Sequence, residues 1–249
     1  MTSHGLVRVQ ASFFISDLHL SPDQPPATEV LLQFLADTAP SAERLYVLGD
    51  LFDYWIGDDT LALPFHRTVV AGFAQLRSRG TQICFMHGNR DFLIGERFAR
   101  ESGMELLQDP TVVDLYGTRT LLMHGDTLCT DDVEYQRFRQ MVRNPQWQAG
   151  FLAKSLEERV AMARAVRGES EQAKQDKSET IMDVAQASVE AVLRKHGYPR
   201  LIHGHTHRPA RHEHVIDGRT CERWVLADWY EHRGYLACDA NGCRVEKLP

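Results

Sequence analysis

Five short segments of this chain carry residues able to hold divalent cations: Asp17-Leu18-His19, Gly49-Asp50-Leu51-Phe52-Asp53, Gly88-Asn89-Arg90-Asp91, His124-Gly125-Asp126 and Gly204-His205-Thr206-His207. Each ends an apolar run. One Asp-x-His pair means little, because a lone Asp or His is far more often a satisfied core or capping group than a ligand. Five such segments in this order reverse that expectation. Two neighbouring ions need about eight donor atoms, some of them shared. The donors divide into Asp17, His19 and His207 for one ion and Asn89, His124 and His205 for the other. Asp50 has two carboxylate oxygens and bridges them. Nitrogen and oxygen ligands without thiolate favour manganese or iron and admit zinc. A water between such ions is deprotonated near neutral pH, which makes it a nucleophile for a phosphate ester.

The apolar runs that deliver these residues read as strands: Val7 to Ile15, Leu45 to Leu48, Ile83 to Met86, Thr120 to Met123, and Leu201-Ile202. Helical patterns at Thr28 to Asp37 and Phe65 to Arg79 separate the early ones. Strands alternating with helices indicate an α/β sheet, whose ligands gather beyond the strand carboxyl ends. Late runs (His212 to Ile216, Arg223 to Leu226, Gly234 to Cys238, Arg244 to Lys247) suggest a second, more antiparallel sheet. Asp53, Asp91 and Asp126 are expected to orient ligands or cap turns, and His87 and His203 to support the site from beside it. His4, His66, His196, His212, His214 and His232 read as surface or structural groups.

Length, 249 residues, fits one α/β domain or a core with an insertion. The net charge of −6 argues against a nucleic-acid partner, which would demand a basic face. Five scattered cysteines without a CxxC read as reduced small core residues and point to a cytosolic chain. No signal pattern opens the sequence, and no apolar stretch reaches the roughly 18 residues of a membrane span.

Residues 133–196 differ from the rest and divide the core into 1–132 and 197–249. They read as helices, one opened by Pro145 after an Asn144 cap and running through Val166, broken at Gly168, then another from Ser178 to Lys195. From Arg137 to Arg167 seven basic residues face only Glu157 and Glu158, so this stretch is +5 and the remainder of the chain −11. Trp147, Phe151, Leu152, Leu156, Val160 and Met162 recur there at near-helical spacing. The stretch is either a solvated amphipathic helix on the core or an apolar chamber with a basic rim meeting an anionic membrane surface.

The order of motifs from Asp17 to His207 resembles the calcineurin-like metallophosphoesterase superfamily. That resemblance implies a sandwich of two mixed β-sheets flanked by helices, here with an inserted helical cap. Many members carry a histidine after Gly-Asn that helps the leaving oxygen depart. This chain has Arg90, which cannot donate a proton near neutral pH but binds phosphoryl oxygens through its fork. A phosphate leaving group needs no proton, so Arg90 favours cleavage of a phosphoanhydride.

The runs LGDLFDYWIGDD (48–59), GNRDFLIGERFARESGM (88–104), MHGDTLCTDD (123–132) and LIHGHTHRPA (201–210) narrow the resemblance to the UDP-2,3-diacylglucosamine hydrolase family of lipid A synthesis, over nearly the whole chain. It implies hydrolysis of the diphosphate of a UDP-linked, doubly acylated glucosamine to UMP and the acylated sugar 1-phosphate, with two Mn2+ per chain. Substrate contacts would fall on Asn89, Arg90, Asp132, Ser170, Lys177 and His205. Position 174 belongs to the same set, but Lys174 replaces the neutral polar residue expected there. The cap would shelter the acyl chains of a monomer working peripherally on the cytoplasmic face of the inner membrane. The competing expectations are a two-metal phosphoesterase for a soluble nucleotide or phosphoprotein, and a metal-free scaffold. The second requires decayed ligands, and all seven positions are intact.

Overall fold

The computed structural model describes residues 10–176 and 183–248. Among them eleven strands form two sheets. In the first, β1 (Ser12–Ile15), β2 (Arg44–Val47), β3 (Gln82–Met86) and β4 (Met104–Leu107) run parallel, and β10 (Gly234–Asp239) with β11 (Gly242–Lys247) adds an antiparallel edge beside β1. The second has the order β5-β6-β7-β9-β8, from Thr111–Leu115, Thr118–Leu122, Arg200–His203, Arg219–Val225 and Ala210–Ile216. Both sheets are mixed. The late strands therefore divide between them: β8 and β9 join the second sheet, β10 and β11 close the first.

The period-two alternation of a strand sorts its side chains into layers. Phe13, Ile15, Leu45, Val47, Ile83 and Phe85 face one way and pack with Leu31 of α1 (Pro25–Gln33), Val69, Phe73 and Leu76 of α2 (Pro64–Ser78), and Phe98 of α3 (Glu96–Ser102). Phe14, Tyr46, Cys84 and Met86 face the other way and meet Leu115, Leu122, Ile202 and Trp224 of the second sheet. The outer face of that sheet is covered by Val189 and Leu193 of α7 (Gln186–Lys195), against Leu121, Leu201 and Ile216. Strands buried on both faces read as continuous apolar runs, which is why β1 to β3 stand out in the sequence.

Among the described residues, three helices stand between the fourth and fifth motifs ahead of α7: α4 (Val133–Val142), α5 (Pro145–Leu152) and α6 (Leu156–Asp176). Asn144 caps α5 as its sequence suggests, accepting from the amides of Gln146 and Trp147. The helix then stops at Leu152 instead of reaching Val166. Ser155 and Glu158 form a reciprocal capping box, each accepting from the other's amide, and this starts α6 anew. Gly168 does not break α6. One helical glycine costs about 1 kcal/mol, too little to end a helix of this length.

The cysteines depart from a uniformly reduced set. Cys238 and Cys243 stand opposite each other in the β10–β11 ladder and are joined as a disulfide, while Cys84, Cys129 and Cys221 are buried and take no part in it.

Candidate metal centre

All five motif segments leave the carboxyl ends of strands on one edge of the sandwich: β1, β2 and β3 from the first sheet, β6 and β7 from the second. Backbone bonds lock the loops together. Asp17 and His19 donate to the Gly49 and Asp50 carbonyls, and Gly204 donates to the His124 carbonyl at 2.8 Å. Asp17, His19, Asp50, His205 and His207 all have positive φ, between 47° and 72°. Side chains other than glycine rarely adopt that backbone, and such residues concentrate where packing holds a functional geometry. Glycines permit the approach. A Cβ on Gly88 would collide with the Asp50 carboxylate and amide, and one on Gly204 with Ser16 and the Asp17 carboxylate.

Two groups of ligand atoms result, Asp17 with His19 and His207, and Asp50 with His124 and His205, each converging within 4.8 Å. In the first, Asp17 Oδ2 is used to hold loops, accepting from the Ser16 hydroxyl at 2.6 Å and the His205 amide at 2.8 Å. Its Oδ1 is buried without a hydrogen bond and lies 3.4 Å from His207 Nε2 and 4.0 Å from His19 Nε2. Asp50 faces both groups: Oδ1 lies 3.8 Å from His124 Nε2, and Oδ2 lies 3.9 Å from His19 Nδ1. Asp50 thus stands between the two groups.

Asn89 completes the second group, its Oδ1 3.0 Å from His124 Nε2 and 2.9 Å from His205 Nδ1. The donor set fits divalent ions for a chemical reason. A carboxamide oxygen only accepts, so in the absence of a cation both imidazoles must donate to it. His124 already donates through Nδ1 to the Leu48 carbonyl at 2.8 Å, so a metal-free His124 that also donated through Nε2 would be an imidazolium. Burial opposes that charge, but Asp50, Asp126 and Asp17 outweigh burial and raise His124 to about 9. Burial and the neighbouring Asp50 push Asp91 up to about 7. A metal ion in place of the His124 proton relieves both strains, and the Nδ1 bond fixes the tautomer that ligation needs.

The flanking acids do different jobs. Asp91 accepts from the Gly88 and Leu51 amides at 2.9 and 2.7 Å and ties two ligand loops together. Asp126 is buried and accepts from the Tyr135 hydroxyl at 2.6 Å and Arg139 Nε at 2.7 Å. Asp53 accepts from Arg90 at 3.0 Å and also pairs with Arg167. Arg90 Nε lies 3.9 Å from Asp50 Oδ2, so its fork stands beside the metal groups. Asp132 caps α4 through Oδ1, accepting from the Tyr135 amide. Ser170 and Lys174 stand on α6 with side chains outside the described residues, and Lys177 lies outside them altogether. His87 bonds the Ile94 carbonyl, and His203 stands between the Gly204 carbonyl and Arg223.

Sequence reasoning missed several groups at this edge. The Tyr230 ring lies over His19 and the Tyr135 ring over His205, with centroids 5.8 and 5.9 Å apart. Arg143 donates to the Gly88 carbonyl at 2.8 Å and stands over the Phe92 ring. The i, i+4 spacing of Tyr135 and Arg139 on α4 and of Arg143 at its C-cap was the available signal.

Comparison with known proteins agrees with this geometry. Residues 13–209 match the family model of the calcineurin-like phosphoesterases. UDP-2,3-diacylglucosamine hydrolase from Aromatoleum aromaticum is 51% identical over 232 residues, 93% of this chain and 94% of the relative. The protein of the same name from Aeromonas salmonicida is 50% identical over 95% of this chain and 93% of its own length. A solved dimetal phosphatase from Danio rerio shares the fold at 14% identity, with a TM-score of 0.50 over 92% of both chains. By its family match and by the identity of these relatives along nearly its full length, this chain belongs to the calcineurin-like phosphoesterases and, among them, to the UDP-2,3-diacylglucosamine hydrolase family.

Proposed function

We propose that this protein hydrolyses the diphosphate of UDP-2,3-diacylglucosamine to UMP and 2,3-diacylglucosamine 1-phosphate at a dinuclear manganese site. The observation that carries it is the pair of ligand groups joined by Asp50, in a chain half identical to hydrolases of that name. Asp17, His19 and His207 would hold one ion, Asn89, His124 and His205 the other, and Asp50 both. Bound there, the ions would supply a water nucleophile at neutral pH and would neutralise charge on the phosphoryl oxygens. Arg90 supports the anhydride reading, because its fork binds and orients phosphoryl oxygens while donating no proton, and a departing phosphate requires none.

The cap supports the lipid half. Helices α4 to α6 hold several exposed apolar side chains, among them Met141 (49% exposed), Leu152 (43%), Leu156 and Val166. These suit acyl chains and an inner-membrane surface on the cytoplasmic face, where the protein would sit peripherally as a monomer. No helix among the described residues is long and apolar enough to cross a membrane. The basic stretch serves the core more than a rim: Arg139, Arg143, Arg159 and Arg167 reach Asp126, the Gly88 carbonyl, Asp59 and Asp53. The test is UMP release from UDP-2,3-diacylglucosamine by metal-depleted protein before and after manganese is restored. Release only with manganese is expected. No release under either condition would refute the proposal.

A further inference from the structure

A polar cleft of about 180 Å3 opens beside the metal groups, at a place that neither the ligand set nor the apolar cap surface uses. Asp23 and Gln24 line it from the loop after β1, Tyr54 from the loop after β2, Arg164 and Arg167 from α6, and Tyr230 from the loop before β10. Two contacts join it to the site. The Tyr230 hydroxyl donates to the His19 carbonyl at 3.0 Å, and Arg167 pairs with Asp53, the carboxylate that also takes Arg90.

Resting on the hydrolase reading above, we infer that this cleft takes the uridine monophosphate half of the substrate. Its lining of carboxylate, carboxamide, guanidinium and phenol groups suits a nucleotide and not acyl chains. A single heterocycle with its sugar suits it. Arg164 and Arg167 stand three residues apart on one face of α6, spaced to meet ribose and phosphate oxygens together. Tyr54 and Tyr230 offer rings on which a flat base can stack. Asp23 and Gln24 can read the base edge. Uracil presents oxygen, N3–H and oxygen in a row; a carboxylate accepts from N3–H, and a carboxamide donates to a flanking oxygen. Cytosine has no hydrogen on N3 and would set a lone pair against Asp23. Gln24 is available for this, because its side chain does not cap the helix it opens. The diphosphate would then straddle the site, nucleotide on the Tyr230 side and acylated sugar toward the cap.

The experiment is calorimetric titration of UMP, and of CMP in parallel, into the full-length manganese-loaded protein. Wild type is compared with Arg164→Ala and with the double variant Asp23→Ala, Gln24→Ala, whose positions are exposed and outside the core. UMP should bind about tenfold more tightly than CMP, the size of one good hydrogen bond. The double variant should lose that preference, and Arg164→Ala should weaken UMP by about tenfold, with metal content unchanged. On the acylated UDP-sugar both variants should raise KM. Wild-type UMP affinity and wild-type KM in both variants would overturn the cleft and leave the hydrolase reading standing. Failure of the wild type to hydrolyse the acylated UDP-sugar would overturn both.

Discussion

The sheet edge that bears the ligands and the helices that lean over it are built on opposite physical terms. At the edge, ligand side chains are mostly buried, five stand on strained left-handed backbone, and their loops are hydrogen-bonded to one another. The cap keeps large apolar side chains in solvent and is tied down chiefly by arginines and by the Trp147–Phe151 pair packed on the core. Chemistry that must place ions within tenths of an ångström needs the first arrangement. On the function proposed above, a surface that would receive acyl chains needs the second, since its apolar side chains would gain burial only when substrate arrived. The contrast can be broken from either side.

The largest effect should come at the edge. Asp50→Asn removes the charge shared by both groups, so neither ion is retained and turnover should fall by more than the roughly hundredfold seen when only a ligand's supporting partner is lost. Metal content by elemental analysis checks this; two ions per chain in the variant would contradict it. Gly88→Ala is expected to act alike although no ligand is substituted, because the new methyl displaces Asp50.

Metal uptake should also release protons. His124, raised to about 9 while metal-free, must lose a proton to ligate. Below about pH 9 the apparent affinity for manganese should therefore rise with pH, by about tenfold per unit for one proton. Calorimetry in buffers of different ionisation enthalpy would read the release, and a pH-independent affinity would count against the assignment of His124.

Arg90→Ala should lower turnover and leave metal content and the shape of the pH profile as they are. Arg90→Lys should recover part of the loss, because a point charge lacks the bidentate fork. A shifted limb in the pH profile would instead mean that Arg90 takes part in proton transfer.

Within the cap, neighbouring positions separate packing from recognition. Phe151 is 6% exposed and belongs to the core, so Phe151→Ala should cost about 3–5 kcal/mol of stability in a denaturant titration. Leu152→Asp should leave stability within about 0.5 kcal/mol, as surface changes usually do. Its effect should appear only as weaker binding of acylated substrate.

Much of the edge was legible in the sequence, because ligand types recur in short segments at the ends of apolar runs, and both follow from parallel strands feeding loops. Asp17, His19, Asp50, Asn89, His124, His205 and His207 converge as their types and spacing suggest. The left-handed backbone of five of them was not legible, since tertiary packing imposes it. The cap was legible only as helical. The break between α5 and α6 depends on a capping box, Ser155 with Glu158, that sits inside an otherwise continuous helical pattern. Phe151 and Leu152 read alike in sequence and separate only once the helix is docked. The basic excess of 137–167 looked like a rim, but a guanidinium's partner across a hundred residues, as for Arg159 and Asp59, has no local signal. The pairing of Cys238 with Cys243 was equally hidden, because it depends on the β10–β11 register.

The most direct test of the pairing of a rigid two-metal edge with an apolar cap is catalytic efficiency on UDP-2,3-diacylglucosamine against UDP-glucosamine, with the same manganese-loaded protein. The scissile bond is the same in both. Acyl chains leaving water gain about 0.8 kcal/mol per buried methylene, and such remote binding energy can also position the diphosphate. The acylated substrate should therefore win by orders of magnitude in kcat/KM. Equal efficiency on the two would show that the cap is a passive cover and that the enzyme serves a soluble nucleotide.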